Sequence, residues 1–371
     1  MKYKQLWQVA EYVNERIATS EVEIDDYIST ENMLSEKGGI ARATTMPDLK
    51  TLPKYAKYDI LLSNIRPYFK KIWLADRMGG CSNDVLVITA KGIQPKFLYY
   101  VLSDNNFFNY STVTSKGTKM PRGSKPAIMK YLVPDVDNSV QSRIADMLSA
   151  YDDAIENNNQ RIVLLEKAAQ ELYKEWFVRF RFPGHENTKF INGLPEGWQR
   201  KKMAGNVSFV TGRLNSNDLT PDGPYSFYTC AKTIFKTDTF CFSGECVLLG
   251  GNNATGDFSL FYANEKLNAY QRTYIVTPIS EQLSSPYIYF VLASYLQSFK
   301  SASTGAATKF LTKRILDNLY IVLPRKEIAD EYHRISKAFF DEMVVLKSCS
   351  ENLVRQRDLL LPRLMSGKLE V

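Results

Sequence analysis

The chain has 371 residues, of which 44% are hydrophobic and 23% charged, a composition typical of a folded protein with two or three domains. Its 47 Lys and Arg residues against 40 Asp and Glu residues give a formal charge of +7, which points mildly toward a polyanionic partner. No 18 apolar residues run together and the charged N-terminus lacks a signal-peptide core, so we expect a cytoplasmic protein with no membrane contact.

The cysteines argue against a disulfide framework. They number five and are scattered over the chain, so reduced thiols are expected. Only Cys230, Cys241 and Cys246 cluster in sequence, no C-x-x-C pair is present, and the two histidines, His185 and His333, are far apart. We therefore predict no metal site.

The first part of the chain has two segments in which basic residues are concentrated. From Lys37 to Arg77 there are nine basic and three acidic residues, interleaved with aromatic residues in KYAKYDILLSNIRPYFKKIW. From Lys116 to Lys130 there are five basic residues and no acidic one. The second segment is rich in Gly and Pro and predicts a loop, whose lysines could reach a phosphate backbone or simply be solvated.

A long helix is predicted after this globular part. From Ile144 to Trp176, apolar positions follow alternating steps of four and three residues, which is typical of a coiled-coil seam or of the core face of an amphipathic helix. Pro134 and Pro183 limit the helix to about 48 residues, roughly 70 Å at 1.5 Å per residue. The candidate seam residues in this helix are Leu148, Tyr151, Ile155, Asn158, Ile162 and Leu165.

The second half of the chain repeats the first. Three matches fall in the same order and at one constant offset in residue number: FLYYVL at Phe97–Leu102 with YIYFVL at Tyr287–Leu292, Lys119 with Lys309, and Pro134 with Pro324. A shared offset in three places indicates duplication of a globular segment followed by a long helix.

The second globular segment contains a counterpart of the basic loop. STGAATKFLTKR, from Ser303 to Arg314, supplies Lys309 and Lys313 together with small residues that let backbone amides approach phosphate. Upstream, GGNNATG at Gly250–Gly256 could place amide side chains against base edges or be an ordinary turn.

The second seam follows Pro324 in phase with the first, at an offset only one position larger than that of the other matches. Pro362 is expected to kink or end this helix. Polar seam positions Asn158, Glu342 and Gln356 could fix the register or mark places where the helices diverge. The candidate seam residues in the second helix are Ile335, Phe339, Leu346, Leu353 and Leu360.

These patterns predict an α+β fold with a pseudo-two-fold internal repeat. Each apolar stripe must be buried, and duplication favours antiparallel pairing of the two helices into a long coiled coil with a globular domain at each end. The helical segments 135–182 and 325–371 have net charges of −3 and +1, which leaves +9 in the globular parts. The positive charge therefore belongs to the globular domains.

Several motifs resemble one known family. YDILLSNIRP, the Gly-Thr loop, LYKEWFVRF after the first seam, LPEGW at Leu194–Trp198 and LLLPRLMSGKL at Leu359–Leu369 together resemble the specificity subunit of type I restriction and modification enzymes. The resemblance covers nearly the whole chain.

The resemblance implies target-recognition domains at 1–134 and 184–324, separated by helical spacer regions at 135–183 and 325–371. It implies recognition of double-stranded DNA at a bipartite, asymmetric site, with the helices as a ruler. It also implies docking of modification (methyltransferase) subunits, expected as two copies, on the outward helix faces and Leu361–Val371. Restriction (translocase and endonuclease) subunits would complete the complex, with S-adenosylmethionine and ATP bound by partner subunits and no cofactor bound by this chain.

An enzyme alternative has little support in the sequence. No phosphate-binding loop of the G-x-x-x-x-G-K-[ST] type, no G-x-G-x-x-G and no Asn-Pro-Pro-aromatic motif occurs, and the PDLK segment at Pro47–Lys50 is only a loose nuclease match. An autonomous DNA methyltransferase or nuclease remains the alternative, and a scaffold that binds only protein is a third possibility. No catalytic residue is predicted.

The candidate DNA contacts combine basic residues of the three basic segments with Arg213, two asparagines and one tyrosine. Arg suits guanine and Asn suits adenine, so Arg66, Asn252 and Asn253 are the candidate base readers. The full set is Arg66, Tyr68, Lys70, Lys71, Lys116, Lys119, Arg122 and Lys125 in the first half and Arg213, Asn252, Asn253, Lys309, Lys313 and Arg314 in the second.

Overall fold

A computed structural model describes residues 2–254, 256–301 and 309–369 of the chain. The chain divides into two compact units. Unit 1 consists of Met1–Glu156 and Ser350–Val371, and unit 2 of Asn157–Cys349. Both divisions between the units fall inside long helices, so each unit contains part of each helix.

The strands of unit 1 form two four-stranded sheets and a two-stranded ribbon. They are β1 (Lys2–Gln5), β2 (Ala10–Tyr12), β3 (Arg16–Ala18), β4 (Tyr27–Ile28), β5 (Thr51–Tyr55), β6 (Ile60–Ser63), β7 (Ile72–Leu74), β8 (Gly79–Cys81), β9 (Val85–Ala90) and β10 (Leu132–Asp135). The sheets have the orders β2-β9-β6-β7 and β3-β5-β8-β4, and β1 pairs with β10. All four residues of β6 are buried because this strand lies inside its sheet, which explains its unbroken apolar start.

Unit 2 is built around one six-stranded sheet of order β14-β20-β17-β19-β15-β16. Its strands are β11 (Phe190–Ile191), β12 (Leu194–Pro195), β13 (Gln199–Lys202), β14 (Val207–Thr211), β15 (Tyr225–Tyr228), β16 (Phe235–Thr237), β17 (Phe242–Gly250), β18 (Asn252–Asn253), β19 (Leu260–Ala269), β20 (Thr273–Pro278), β21 (Lys309–Phe310) and β22 (Tyr320–Leu323). Short ribbons pair β11 with β12, β13 with β22 and β18 with β21.

The α-helices include two of unusual length. They are α1 (Pro95–Ser103), α2 (Asn105–Val113), α3 (Lys125–Ile128), α4 (Asn138–Tyr173), α5 (Ser285–Ser301), α6 (Lys313–Asp317) and α7 (Lys326–Met365). Short 3₁₀ turns lie at Leu6–Gln8, Thr19–Glu21, Ile24–Asp26, Pro67–Phe69 and His185–Asn187, and a π-helical turn at Lys174–Val178. None of the helices that the structure describes is long and apolar enough to cross a bilayer.

The order of elements confirms that the two halves repeat one another. In each unit the strand that precedes α4 or α7 pairs antiparallel with an earlier strand of the same unit, β10 with β1 and β22 with β13. Helices α1 and α5 begin at Pro95 and Ser285, which are related by the same offset as the sequence matches. A short helix, α3 or α6, precedes the last strand in both units.

The two long helices follow Pro134 and Pro324 as predicted, but their ends differ from the prediction. Helix α4 has 36 residues, about 54 Å at 1.5 Å per residue, and ends at Tyr173 rather than near Pro183. The chain leaves it through the π-helical turn because the aromatic side chains that follow are buried in the core of unit 2. Helix α7 continues through Pro362 to Met365, so this proline does not end it.

Each unit buries part of both long helices. In unit 1, Ile144 and Leu148 of α4 share a core with Leu361 and Leu364 of α7. In unit 2, Ala169 of α4 clusters with aromatic residues of α5 and α7. The start of α4 therefore contacts the end of α7 within unit 1, and the end of α4 contacts the start of α7 within unit 2.

The predicted seam is only partly reproduced in the burial pattern. Leu148 and Leu346 are buried, whereas nine positions are half-buried: Tyr151, Ile155, Asn158, Ile162, Leu165, Ile335, Phe339, Leu353 and Leu360. At the start of α7 the buried face includes Tyr332 and Phe340, because this part of the helix also packs against α5 and, at Phe340, against β19. Among the polar seam positions, Glu342 forms an ion pair with Arg161 of α4.

Candidate nucleic-acid interface

In unit 1, backbone hydrogen bonds join the turn after β6 to the basic loop. Ile65 and Arg122 form an isolated β-bridge. The backbone N–H of Arg66 donates to the carbonyl of Pro121 at 2.8 Å, and that of Gly123 donates to the carbonyl of Asn64 at 3.0 Å. Two basic segments that are far apart in sequence thus form one surface.

The turn after β6 has a constrained conformation. Arg66 has φ 50° and ψ 66°, a left-handed conformation that is uncommon for a residue with a Cβ, and it precedes the short 3₁₀ turn Pro67–Phe69. Its side chain is exposed. Tyr68 and Phe69 are both exposed, with ring centroids 4.7 Å apart. The turn therefore presents a cation and two aromatic rings to solvent.

The basic loop is a short hairpin. Lys116 and Arg122 exchange two backbone hydrogen bonds of 2.9 and 2.8 Å, and Lys119 lies between them with its side chain exposed. The guanidinium of Arg122 also pairs with Asp84 at 3.0 Å. The exposed cations at Lys116 and Lys119 can therefore reach a phosphate backbone.

The loop predicted for Lys116–Lys130 is wrong in its second part. Lys125 is the first residue of α3, because Pro126 has no N–H to lose and its fixed φ suits the first turn of a helix. The side chain of Lys125 is exposed, and its ammonium lies 5.8 Å from the centre of the Tyr12 ring.

Two of the predicted lysines in unit 1 have partners within the protein. Lys70 forms an ion pair with Glu36 at 2.8 Å. Lys71 donates to the carbonyl of Thr30 at 2.6 Å, and burial lowers its pKa. Their ammonium groups are less available for DNA than those of the hairpin.

In unit 2, the turn after β17 is likewise joined by backbone hydrogen bonds to the second basic segment. Asn252 pairs with Phe310 and Asn253 with Lys309 in the β18–β21 ribbon. The backbone N–H of Gly251 donates to the carbonyl of Arg272 at 2.7 Å. A Cβ on Gly251 would lie 2.6 Å from that carbonyl oxygen, so only glycine permits this close approach.

The second basic segment is also partly helical. Lys313 and Arg314 are exposed residues in the first turn of α6, and the hydroxyl of Thr312 caps this helix by accepting from the N–H of Ile315. The loop predicted from Ser303 to Arg314 is therefore wrong at its end. Ser303–Thr308 lie outside the described residues, and only the backbone of Lys309 is described.

Arg213 lies beside the same part of unit 2. Its neighbours are tied to the turn that precedes β20: Gly212 donates to the carbonyl of Thr273 at 3.1 Å, and Gln271 donates to the carbonyl of Leu214 at 3.0 Å. Arg213 is exposed. The structure thus brings an exposed cation near the ribbon that holds Asn252.

Arg272 and Phe310 were missed by the sequence analysis. Both are exposed, and the guanidinium of Arg272 lies 5.6 Å from the centre of the Phe310 ring. Arg272 stands in no basic or repeated motif, and its contact with Phe310 joins two segments that are distant in sequence. The one available signal was the position of Phe310 in the second basic segment.

No cluster of three or more His, Cys, Asp or Glu side chains suited to a metal ion occurs in the described part of the chain. Of the three cysteines that cluster in sequence, Cys246 is buried in the sheet and Cys241 is exposed. Burial raises the pKa of Cys246 to about 12.

Comparison with known proteins follows the same division into two halves. A family model described as the type I restriction modification DNA specificity domain matches residues 2–167 and 195–346. The type I restriction enzyme MjaIX specificity subunit of Methanocaldococcus jannaschii is 24% identical over an alignment that covers 77% of this chain and 71% of the relative. The type I restriction enzyme HindI specificity subunit of Haemophilus influenzae is 22% identical over an alignment that covers 92% of this chain and 94% of the relative.

A solved structure shows the same fold. The type I restriction-modification system S subunit from M. genitalium superposes with a TM-score of 0.60 at 13% identity, covering 98% of this chain and 96% of that chain. Because the family model matches most of the sequence in two separate segments, this chain belongs to the type I restriction modification DNA specificity family and contains two copies of its domain.

Proposed function

We propose that the chain is the DNA-reading subunit of a type I restriction-modification complex, and that its two units read different halves of one bipartite site. The observation that supports this most is the bridge found in both units. Each unit joins the end of a buried central strand to a basic segment, at Ile65–Arg122 in one and Asn252–Phe310 in the other. The exposed side chains at the two bridges differ, so the two half-sites should differ as well.

The charge distribution supports DNA as the partner. The excess positive charge lies outside the long helices, and exposed cations such as Lys116, Lys119, Lys313 and Arg314 cluster next to the two bridges. Lysines at such positions neutralise phosphates without regard to sequence, whereas side chains on the bridged turns can approach base edges.

The long helices are proposed to pair antiparallel as a coiled coil with a reading domain at each end. Contacts in both units support this pairing, since Asp152 contacts Arg357 in unit 1 and Arg161 contacts Glu342 in unit 2. A pseudo-two-fold relation would address the half-sites on opposite strands. The helices would then act as a ruler that sets the length of the unread spacer.

Methylation and cleavage of DNA are proposed to be carried out by other subunits. Two modification subunits would dock on the helices and bind S-adenosylmethionine, and restriction subunits would bind ATP. The family relation and the relatives named as specificity subunits support a non-catalytic role for this chain.

The proposal is tested by expressing the chain together with its modification subunit and mapping the methylated adenines. We expect two short, unequal half-sites at a fixed spacing, with methylation lost when either subunit is omitted. A variant in which Lys116, Lys119, Lys313 and Arg314 are alanine tests the basic segments. It should reduce methylation at every site.

Other outcomes would support the alternatives. Methylation or cleavage of DNA by this chain alone would identify an autonomous enzyme. Binding of the modification subunit with no DNA affinity that changes with salt would identify a protein scaffold, because a reader that contacts many phosphates loses orders of magnitude in affinity between about 50 and 200 mM salt.

A further inference from the structure

The turn after β6 in unit 1 and the turn after β17 in unit 2 can be aligned by their backbone hydrogen bonds, independently of their side chains. In unit 1 the N–H of Asn64 donates to the carbonyl of Asp84 at 2.8 Å, and in unit 2 the N–H of Gly251 donates to the carbonyl of Arg272 at 2.7 Å. Asp84 and Arg272 therefore occupy equivalent positions in the two units.

A second pair of positions is equivalent by the same criterion. Arg122 is bridged to Ile65 in unit 1, and Phe310 is paired with Asn252 in unit 2. The offset in residue number from Arg122 to Phe310 is identical to that from Asp84 to Arg272. The next residue also bonds to the turn in both units. The N–H of Gly123 donates to the carbonyl of Asn64 at 3.0 Å, and the N–H of Leu311 donates to the carbonyl of Gly251 at 2.8 Å.

The side chains at these equivalent positions make different contacts. In unit 1 the carboxylate of Asp84 binds the guanidinium of Arg122 at 3.0 Å, which occupies part of that cation's donor capacity. In unit 2 the guanidinium of Arg272 lies over the exposed ring of Phe310, with 5.6 Å between the guanidinium carbon and the ring centre. An aromatic ring orients the guanidinium plane but accepts none of its in-plane hydrogen bonds.

Phe310 is fixed in an exposed position by its neighbours. Leu311 is buried in the core of unit 2, and the backbone on both sides of Phe310 is held by the β18–β21 pairing and by the Leu311 N–H bond to Gly251. The Phe310 ring remains 52% exposed. The ring is thus held at the surface beside the guanidinium of Arg272 rather than packed into the core.

We infer that Arg272 reads a guanine in the half-site of unit 2 and that Phe310 is its positioning residue. This inference rests on the proposed function. A guanidinium whose plane is fixed can donate two hydrogen bonds to the O6 and N7 atoms of guanine in the major groove. A phosphate contact would need only the charge, which an unsupported lysine supplies equally well.

The test is selection of bound DNA from a library randomised over both half-sites, with the full chain in complex with its modification subunit. Arg272→Lys keeps the charge but removes the two-pronged donor. We expect it to relax the preference for one G·C pair in one half-site by roughly five- to a hundredfold, the discrimination of one bidentate contact. The other half-site and the salt dependence should not change.

Variants at Phe310 separate positioning from packing. Phe310→Tyr retains the ring and should retain the guanine preference. Phe310→Leu keeps an apolar side chain but removes the aromatic face, and it should relax the same G·C pair as Arg272→Lys. The unchanged half-site of unit 1 shows in every case that the complex is assembled.

A matched control is another exposed cation–aromatic pair of unit 2, Lys266 with Phe240. The ammonium of Lys266 lies 5.1 Å from the centre of the Phe240 ring, away from the bridge, on strand β19. Lys266→Ala should leave every base preference unchanged. Relaxation of the same G·C pair by Lys266→Ala would show that the effect is not specific to Arg272 and would overturn the inference.

Two results distinguish failure of the inference from failure of the proposed function. If the wild-type complex selects two half-sites and Arg272→Lys selects the same sequence equally well, Arg272 does not read a base. If the wild-type complex selects no sequence at all, the proposed function itself is wrong.

Discussion

The two units hold the long helices by different chemistry. In unit 1, Arg357 of α7 binds Asp152 of α4 at 2.5 Å, and Tyr100 of α1 donates to the same carboxylate at 2.6 Å. Lys37 completes the cluster by binding Asp358 at 3.1 Å. In unit 2, the corresponding place is filled by aromatic rings from α5, α7 and β19.

The repeat shows how this difference arose by substitution at matching positions. Tyr100 and Phe290 are related by the offset of the duplicated segments, since each is the fourth residue of its FLYYVL or YIYFVL match. In unit 2, Phe290 packs against Phe340 with 5.8 Å between ring centres, and Phe340 packs against Tyr262 at 4.5 Å. The same fold therefore tolerates an ionic or an aromatic junction between its α1-type helix and the long helices.

The two junctions differ in what they specify. The ionic cluster requires its members to meet in one register, since Arg357 must face Asp152 and Lys37 must face Asp358. The Lys37 side chain is only 6% exposed, so an unpaired charge there would be costly. The aromatic junction gains more from burial and demands less exact alignment.

The largest loss of stability is expected from a substitution at the aromatic junction. Phe340→Ala removes a ring that is 2% exposed and leaves a cavity among the rings of unit 2, so we expect it to lower the free energy of unfolding by about 3–5 kcal/mol. Chemical denaturation followed by tryptophan fluorescence measures this. Val345→Ala, at an exposed position on the same helix, is the control and should change stability by less than about 0.5 kcal/mol. Equal effects of the two variants would show that the junction is not a packed core.

A smaller loss is expected at the ionic junction. Arg357→Met leaves Asp152 without its cation and should lower the free energy of unfolding by about 3 kcal/mol. Arg355→Met, at an exposed position one half-turn away, is the matched control. A stability equal to that of the wild type would mean that the cluster does not hold the end of α7 in unit 1.

The two basic segments should contribute similarly to binding although their units differ elsewhere. Lys119→Ala in unit 1 and Lys313→Ala in unit 2 should each weaken binding to all DNA sequences alike and reduce the salt slope by about 0.9, the value for one phosphate contact. Lys309→Ala is expected to act in the same way. Fluorescence anisotropy at several salt concentrations measures both quantities, and an unchanged slope in the Lys119→Ala/Lys309→Ala double variant would contradict the assignment of these segments.

The smallest effect is a pH dependence confined to the ionic junction. Burial raises the pKa of Asp358, but Lys37 and Arg357 outweigh it and hold this pKa below its ordinary value. Stabilisation by the carboxylate is therefore complete above the unfolded pKa of about 3.9 and is lost as the pH falls through the folded value. Unfolding free energies between about pH 6 and 3 should fall less steeply in Asp358→Asn than in the wild type or in Asp146→Asn, which changes an exposed aspartate. Identical slopes in all three proteins would remove Asp358 from the cluster.

The repeat and the long helices could be predicted because they depend on spacing. Matches at a constant offset located both units, and the alternation of steps located α4 and α7. The end of α4 could not be predicted from Pro183, because burial of Trp176 and Phe177 in the core of unit 2 ends the helix earlier. The prediction named Phe339 as a seam residue, whereas its neighbour Phe340 is the buried one. The reason is that the helix also packs against a sheet whose position the sequence does not give.

The candidate site was predictable only where it is local in sequence. Clusters of lysine marked the two basic segments, although Lys125 and Lys313 proved to begin short helices. The partners of Lys70 and Lys71 could not be predicted, since Glu36 and Thr30 lie in a distant part of the sequence. The same holds for the contact between Arg272 and Phe310, which only the sheet brings together.

The most direct test of the account is to lengthen both helices by one heptad at the divisions between the units. A copy of residues 150–156 would be inserted after Glu156, and a copy of residues 343–349 after Cys349. Seven residues add about 10.5 Å, or about three base pairs at 3.4 Å each. Mapping of methylated adenines should show both half-sites unchanged and the unread spacer longer by about three base pairs. An unchanged spacer between the same half-sites would contradict the claim that paired helices hold two reading units apart.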